Sequence, residues 1–396
     1  MRKLLSFLLV AVAAVFIMTA CSQQSEEPAQ EETTQETTQE ETQEAEASTE
    51  PIKIGVAGPH SGDLASYGIP TANAVKLYVD EINSNGGVNG RQIELVVEDD
   101  VCKPEVAANT AAKLVSEEVV AVVGHICSGA TKAALGMYKD AQIPVMSPSA
   151  TNPALTKSGD YPNFFRTIAP DDSQARLQVD FALDKLGLKK LAVIHDKGDY
   201  GKGLAEFAKS FIEQAEGAEV VLYEGVTPGA VDYSAVVQKV KQSEADGVIF
   251  GGYHPEASKI VTVMKKKKLE IPFISDDGVK DETFIKVAGD FAEGVYATGP
   301  KDVESNPLSQ KAINAHVEKY GEKPGAFYLN GYSAIIAFIN AIDVADSTEY
   351  DAIVNALTTE YVETPVGNIS FDKKGDAIGV GFSVYQVQNG EYVELQ

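Results

Sequence analysis

The chain has few basic side chains. It contains 33 Lys and Arg residues against 58 Asp and Glu, and its formal net charge is −25 at pH 7. Residues 22–50 contribute −10 and residues 1–20 contribute +2, which leaves −17 on the remainder. An acidic body without a basic stripe does not attract the phosphate backbone of DNA or RNA. The charge balance therefore excludes nucleic acid from the expected partners.

Cysteine is also scarce, since the sequence has only Cys21, Cys102 and Cys127. Two cysteines outside the cytoplasm pair readily, so Cys102 and Cys127 are expected to form a disulfide. The alternative is a metal site that uses both cysteines and His125. No second Cys/His pair supplies the remaining ligands of a closed metal site. The disulfide is the favoured interpretation, and no bound metal is expected.

The signatures of common enzyme sites are missing as well. The sequence has no G-x-S-x-G nucleophile elbow. The segment Gly198–Lys202 lacks the spacing and the Ser/Thr of a phosphate-binding loop, and Gly201 and Gly203 open a helix without a dinucleotide fingerprint. We therefore assign no catalytic residue and expect neither a cofactor nor enzymatic activity.

The N-terminal segment predicts export. Arg2 and Lys3 precede an apolar run over residues 4–20, which is typical of a secretory signal peptide. The run ends in Met-Thr-Ala-Cys, which resembles a bacterial lipobox and makes Cys21 the lipidated residue. Residues 22–50 are too polar to offset the entropy of ordering them. The sequence predicts a signal peptide over 1–20 and a lipidated cysteine with a disordered acidic tether over 21–50.

From Ile52 onward, β-strand and α-helix patterns alternate in two series that meet near residues 169–170. Repeated β-α units specify parallel sheets with helices on both faces, and this length is too great for one core. A helical stretch over 309–346 is expected to return to the first series, and the last strands to the second. The predicted fold is α/β, with two Rossmann-like parallel-sheet lobes joined by three hinge crossings. Lobe 1 comprises 51–170 and 301–377, and lobe 2 comprises 171–300 and 378–396.

The segment from residue 119 to 153 repeats one pattern twice: an apolar strand, a Ser/Gly/Thr-rich turn and a helix start. Ser128 is predicted to cap the first helix, and Thr151 or Asn152 the second, with Pro153 at its first position. Free N–H groups and the dipole at a helix N-terminus favour a small anion. We predict that Ser128 and Thr151 bind a carboxylate.

Ligands of open α/β sheets bind beyond the carboxyl ends of the strands. Hydroxyls, aromatic rings and one carboxylate are expected at those ends, and these groups suit a small zwitterion with an apolar tail better than a nucleotide. The residues in question are Tyr67, Ser128, Ser149, Thr151, Tyr200, Tyr253 and Asp277.

Several motifs, in one order from Ile52 onward, give the body a family resemblance. They are IKIGVAGPHSG, YGIPTANAVKLYVDEINSNGGVNGRQIELVVEDDVCKPEVA, VVGHICSGAT, SPSATNPALT, FFRTIAPDDSQ, IHDKGDYGKGLA, GGYHPE and AGDFAEGVYATGPK. The sequence resembles the periplasmic type I solute-binding proteins, specifically the Leu/Ile/Val-binding receptors of branched-chain amino acid ABC transporters. The resemblance implies a Venus-flytrap architecture that closes on its ligand.

The resemblance also implies residue roles. Ser128 and Thr151 would bind the ligand α-carboxylate, while the Ser149 carbonyl and the Asp277 side chain would face the ammonium. Asp277 stands where those receptors often have Glu, which leaves ligand preference open. The aromatic residues expected in the cleft are Tyr67, Tyr200, Tyr253 and Phe327. The family's disulfide pair corresponds to Cys102 and Cys127.

The function that the resemblance implies is a monomeric receptor, anchored by lipid to the outer face of the cell membrane. It would bind a branched-chain or other aliphatic amino acid and deliver it to the permease of an ABC importer. Three alternatives stay open at this point. They are a receptor of the same fold for an amide, urea or aromatic acid, a ligand sensor for a signalling partner, and an exported enzyme.

Overall fold

The computed structural model describes residues 50–395. The predicted signal peptide, Cys21 and all of the predicted tether except Glu50 lie outside the described residues. Lobe 1 is built on a five-stranded, all-parallel sheet with the strand order β2-β1-β3-β4-β5. Its strands are β1 (Ile52–Gly58), β2 (Ile93–Asp99), β3 (Ala121–Val123), β4 (Val145–Ser147) and β5 (Phe164–Arg166).

Helices cover both faces of this sheet because β1 and β3 carry apolar side chains on both sides. They are α1 (Ala65–Ser84), α2 (Pro104–Ser116), α3 (Ser128–Asp140) and the single turn α4 (Ala154–Lys157). On one face, Ile54 and Val56 pack against Val75 of α1. On the other, Val122 packs with Leu135 of α3. Because the five strands are parallel, the segment that follows each strand leaves the sheet at the same edge. The candidate site lies at that edge.

Lobe 2 is built on a seven-stranded sheet. Its β-α series comprises α5 (Asp171–Asp180, extended by a π-helical turn at Phe181–Lys185), β6 (Lys190–His195), α6 (Asp199–Gln214), β7 (Glu219–Gly225), α7 (Ser234–Gln242), β8 (Gly247–Gly251), α8 (His254–Lys266), β9 (Phe273–Ser275), α9 (Glu282–Ala288, followed by a 3₁₀ turn at Gly289–Ala292) and β10 (Tyr296–Pro300). The strands from β6 to β10 are parallel to one another.

The chain then returns to lobe 1 with α10 (Pro307–Tyr320), α11 (Tyr328–Ala345), α12 (Tyr350–Thr359), β11 (Val362–Thr364), β12 (Gly367–Phe371) and β13 (Ala377–Ile378). It finishes in lobe 2 with β14 (Phe382–Gln388) and β15 (Glu391–Glu394). These two strands are antiparallel and complete the sheet order β15-β14-β10-β9-β8-β6-β7. Three connections therefore join the lobes, and the predicted fold class is confirmed.

Helix α11 is long and apolar enough to cross a membrane by length and composition, but 72% of it is buried inside the described body. Phe338 and Ile342 of α11 pack against the same sheet face as α1. It is the core helix of lobe 1.

Some predicted element limits are wrong. The apolar periodicity predicts a first helix that starts at Ala72, but α1 begins at Ala65, with Pro70 inside it, because burial of Tyr67 fixes this segment against the lobe. The predicted helical stretch 309–346 is two helices, since Gly321 adopts a left-handed conformation (φ 81°) that ends α10. Helix α12 was not predicted.

Candidate functional site

A cavity lies between the two lobes at the carboxyl ends of the strands. It is open on one side, and the empty space within it and at its mouth, open solvent included, is about 240 Å³. Its walls are formed by Tyr67, Ile126, Ser128, Ser149, Tyr200, Tyr253, Asp277, Gly278 and Phe327. Seven of the eight ligand-binding residues predicted from the sequence are therefore brought together at one cavity. The eighth, Thr151, is not part of the wall.

The first end of the cavity is formed by the start of α3. This helix begins at Ser128 with Cys127 as its N-cap, so the prediction that Ser128 caps it is wrong by one position. The second predicted helix start, at Pro153, is one residue early, because α4 begins at Ala154 after Pro153. Asn152 caps that turn through its side-chain oxygen, which accepts from the Ala154 N–H at 2.9 Å. Only α3 is therefore long enough to present a helix dipole.

Two hydroxyls lie at this end. Ser128 Oγ accepts from the Asn152 backbone N–H at 3.3 Å, which ties the two loops together. The Thr151 hydroxyl is fully buried and has no hydrogen-bond partner among the described residues. This hydroxyl acts on the neighbouring Asp171 carboxylate, whose pKa it lowers against the raising effect of burial, so it belongs with that carboxylate and not with the cavity wall.

Asp277 forms the opposite end of the cavity, two residues beyond β9. Its side chain is buried, and Tyr200 Oη donates to Asp277 Oδ1 at 2.5 Å. Burial raises the pKa of Asp277 to about 6, although the Tyr200 hydrogen bond acts in the opposite direction. Burial is the largest cause of this shift, and the Tyr200 hydroxyl that holds the carboxylate is a neutral donor.

A second buried carboxylate, Asp171, interacts with both Asp277 and Thr151, and it is missed in the sequence because residues 171–173 have the pattern of an ordinary helix start. Asp171 is the first residue of α5, directly after the first connection between the lobes, and its backbone N–H donates to the Thr151 carbonyl at 2.9 Å. Its side chain is fully buried, and within residues 50–395 neither carboxylate oxygen has a hydrogen-bond partner. Burial, and next the charge of Asp277, raise the pKa of Asp171 well above its usual value.

The wall between these two ends is apolar and aromatic. The Tyr67 ring lies 5.6 Å from Phe327 and 6.1 Å from Tyr253, measured between ring centroids. Ile126 packs in the same cluster and was also missed, because it reads as an ordinary strand-end residue. Ser149 contributes differently, since its hydroxyl donates to the Ile126 carbonyl at 2.9 Å and holds the loop after β3.

Behind the wall, Cys102 and Cys127 form a disulfide with their Cα atoms 5.6 Å apart, which confirms the predicted pairing. His125 Nδ1 lies 2.6 Å from Asp100 Oδ2, and its Nε2 lies 3.1 Å from Tyr138 Oη. The sulfurs are therefore bonded to each other, and His125 belongs to a separate buried hydrogen-bond network.

Comparison with known proteins defines the family. The family model described as periplasmic binding protein matches residues 51–391. The chain belongs to the periplasmic binding protein family. A Pseudomonas aeruginosa relative described as a leucine-, isoleucine-, valine-, threonine- and alanine-binding protein is 37% identical over 339 residues, covering 86% of this chain and 90% of the relative.

Two solved structures show the same fold in relatives of this periplasmic binding protein. The leucine-binding protein LivK from Thermotoga maritima superposes with a TM-score of 0.81 at 26% identity, covering 87% of this chain and 98% of the other. The substrate-binding protein LivJ from Streptococcus pneumoniae, in complex with isoleucine, gives a TM-score of 0.78 at 32% identity, covering 87% and 100%.

In this periplasmic binding protein the lobes touch across the cavity. Tyr67 Oη of lobe 1 donates to the Gly278 carbonyl of lobe 2 at 2.5 Å. Beside it, Ser66 Oγ lies 3.3 Å from His254 Nε2. The described arrangement is therefore a closed one, in which residues of both lobes surround the same small space.

Proposed function

We propose that this protein is the substrate-binding component of an ABC importer for branched-chain or other aliphatic amino acids. The observation that carries the proposal is the polarity of the cavity. The start of α3, with Ser128, offers donors at one end of the wall, and Asp277 offers a carboxylate at the other. Thr151 and Asp171 contact each other outside the wall and add a buried hydroxyl and a second buried carboxylate. The apolar part of the wall lies between Ser128 and Asp277. This arrangement is complementary to an α-amino acid zwitterion with an aliphatic side chain.

The buried carboxylates give the proposal its energetic basis. A charge in an apolar environment is costly unless a partner of opposite charge is close. A ligand ammonium would supply that partner for Asp277 and Asp171 together. A neutral amide or urea would leave the carboxylates either protonated or unpaired, and an aromatic acid would add a third negative charge.

The relatives support the same ligand class. The Pseudomonas aeruginosa protein is described as binding leucine, isoleucine, valine, threonine and alanine, and the Streptococcus pneumoniae structure contains isoleucine. In our proposal the shared contacts hold the ligand's backbone groups, while Ile126, Phe327 and Tyr253 sort ligands by side-chain shape.

Binding is proposed to occur by closure of the two lobes, with the residue limits predicted from the sequence: 51–170 with 301–377, and 171–300 with 378–396. A ligand that contacts both lobes binds the closed form more tightly and shifts the population toward it. Binding and release leave the ligand chemically unchanged in this proposal.

The remaining parts of the proposal rest on the sequence. Lipidation of Cys21 would anchor the protein to the outer face of the membrane, with residues 22–50 as a flexible tether. The monomeric receptor would then hand its ligand to the permease of the importer.

A thermal-shift panel of the twenty amino acids, aliphatic amides, urea and benzoate tests the function. Aliphatic α-amino acids are expected to stabilise the protein, since a ligand at about 100 times its Kd adds about 2.7 kcal/mol. Calorimetry on the best ligand then gives its Kd. Stabilisation by an amide or benzoate, with none by amino acids, would overturn the proposed ligand class.

A further inference from the structure

Asp199 makes a second set of contacts between the lobes, away from the cavity wall. It is the first residue of α6 in lobe 2. Its backbone carbonyl accepts from Asn152 Nδ2 of lobe 1 at 2.6 Å. Its carboxylate pairs with Lys132 Nζ, on α3 of lobe 1, at 3.0 Å. Two groups of lobe 1 thus hold one residue of lobe 2, and none of the three residues belongs to the cavity wall.

Gly203, one turn further along α6, provides the space for this contact. A Cβ at Gly203 would lie 2.9 Å from Asn152 Nδ2, which is closer than such atoms approach. Within residues 50–395, Asn152 is the only residue beyond α6 that comes within 4 Å of that Cβ position. The demand for glycine at 203 therefore comes from the opposite lobe, and it exists only when the lobes are closed.

The Asn152 amide is not free to move away from a larger side chain. Its oxygen accepts from the Ala154 N–H at 2.9 Å, while its nitrogen donates to Asp199. Displacing the amide would break one or both of these hydrogen bonds. A side chain at 203 must therefore either disrupt the Asn152–Asp199 contact or keep the lobes apart.

We propose that Lys132, Asn152 and Asp199 form an interlobe clamp and that Gly203 leaves the space this clamp needs. The clamp sets the lifetime of the closed form and does not contact the ligand. The proposal rests on the proposed function, since it concerns closure on a ligand. Contacts made only in the closed form favour that form and raise apparent ligand affinity. Because the clamp forms after the ligand has entered, its loss acts mainly on ligand dissociation.

Substitutions at Gly203 separate a role in closure from a role in folding. Glycine inside a helix is less favourable than alanine or glutamine, so a side chain at 203 is expected to stabilise α6 when the lobes are open. If the clamp exists, the same side chain at 203 should weaken ligand binding. A residue with a purely structural role would not move the two quantities in opposite directions.

The experiment compares Gly203→Ala and Gly203→Gln with Gly136→Ala as the matched control. Gly136 lies inside α3, and a Cβ there would meet nothing within 4 Å. Each protein is measured for thermal unfolding without ligand, for Kd by calorimetry with the best panel ligand, and for dissociation rate by stopped flow. Small-angle scattering with ligand reports closure.

The expected result is that Gly203→Gln unfolds at or above the wild-type temperature, yet binds at least about fivefold more weakly through faster dissociation. Gly203→Ala should show a smaller effect of the same sign. Gly136→Ala should keep the wild-type Kd. With ligand present, the radius of gyration of Gly203→Gln should stay above that of the wild type.

The ion pair is tested with Lys132→Ala. Its matched control is Lys311→Ala, because the Lys311–Glu81 pair is similarly exposed but lies within lobe 1. Lys132→Ala should speed dissociation by less than about fivefold, and the effect should shrink at high salt, as expected of an exposed pair. Lys311→Ala should leave the dissociation rate unchanged.

The outcomes distinguish the clamp from the proposed function. If the wild type binds an amino acid and Gly203→Gln matches its Kd and dissociation rate within twofold, the clamp is refuted and the proposed function stands. If Gly203→Gln lowers the unfolding temperature as much as it weakens binding, the role of Gly203 is in folding and the clamp is again refuted. If the wild type binds nothing in the panel, both the proposed function and the clamp are refuted.

Discussion

Asp277 shows how one residue can be held ready for a ligand. It is buried, it accepts from Tyr200 Oη at 2.5 Å, and burial raises its pKa to about 6. A hydrogen bond from a neutral hydroxyl orients the carboxylate without neutralising it. In the proposed function, this orientation prepares the carboxylate for the ligand ammonium.

Substitution of Asp277 tests its role directly. Asp277→Asn keeps the shape and removes the charge, so by the cost of breaking a buried pair it should weaken amino acid binding by about 3–5 kcal/mol, or about a hundred- to several-thousand-fold in Kd. Asp277→Glu is the charge-preserving control and should have a much milder effect. Calorimetry gives both values. A change below about fivefold for Asp277→Asn would show that another group holds the ammonium.

The raised pKa of Asp277 also predicts a pH dependence. Without ligand, its protonated form is favoured in the folded protein, so this contribution to stability is full below about pH 4 and lost as the pH rises through about 6. Ligand binding depends on pH in the opposite direction and strengthens as the pH rises, because only the ionised carboxylate pairs with an ammonium.

For a pKa of about 6 in the free site, Kd should rise about tenfold between pH 7 and pH 5. Asp171 also has a raised pKa and adds a dependence of the same sign. Asp277→Asn should therefore flatten the profile without abolishing it. Calorimetry across this range provides the check, and a wild-type Kd that is constant from pH 5 to 7 would contradict the assignment.

Which site residues can be read from sequence depends on the signal that each one carries. Ser128 and Tyr200 lie where a strand gives way to a helix, and that position alone indicates a site. Asp171 has the same position but resembles an ordinary helix cap, and its burial without a partner is visible only in three dimensions. Ile126 has no sequence signal, since an apolar residue after a strand is usually core.

At the scale of elements, the disulfide joins the start of α3 to the loop before α2. Cys127 is the N-cap of α3, and Cys102 lies two residues before the first residue of α2. The bridge therefore fixes the helix end that carries Ser128. Its position links the stability of two helices to the geometry of the proposed carboxylate site.

Replacing both cysteines by serine should lower the free energy of unfolding by about 3 kcal/mol, by the loop-entropy relation. It should also weaken ligand binding, because the first turn of α3 loses its attachment. Denaturant unfolding and calorimetry on the double variant measure the two effects. Equal ligand affinity in the variant and the wild type would mean that other packing positions α3.

Element limits were predictable where one pattern acts alone, and less so where tertiary packing competes with it. The loop signals Gly68 and Pro70 concealed the first turns of α1, whose position is set by the buried Tyr67. Gly321 and Pro324 mark the break between α10 and α11, yet the apolar periodicity on both sides suggested one continuous stretch.

At the scale of the whole molecule, the alternation of strands and helices was enough to predict two parallel-sheet lobes, and the late strands required three crossings. The antiparallel setting of β14 and β15 was not predictable, because a short alternating strand fits either orientation. The contact between the closed lobes could not be predicted from the sequence either, since it depends on surfaces formed by distant parts of the chain.

The proposed anchor predicts how the whole protein behaves when it is removed. Cys21→Ser should block lipidation and release a body that binds its ligand with unchanged Kd, because the tether is not expected to contact the cleft. Cell fractionation and calorimetry on the released protein test this. A loss of affinity in solution would assign residues 22–50 a role in binding.

The interleaving of the two lobes along the chain has a consequence for the order of folding during synthesis. The sheet face formed by Ile54 and Val56 can pack against α1 early, but its packing is completed by Phe338 of α11, which leaves the ribosome much later. The β10 edge of the second sheet likewise waits for β14. Each lobe therefore lacks part of its packing until the C-terminal segments are made, and we expect both lobes to complete their folding only near the end of synthesis.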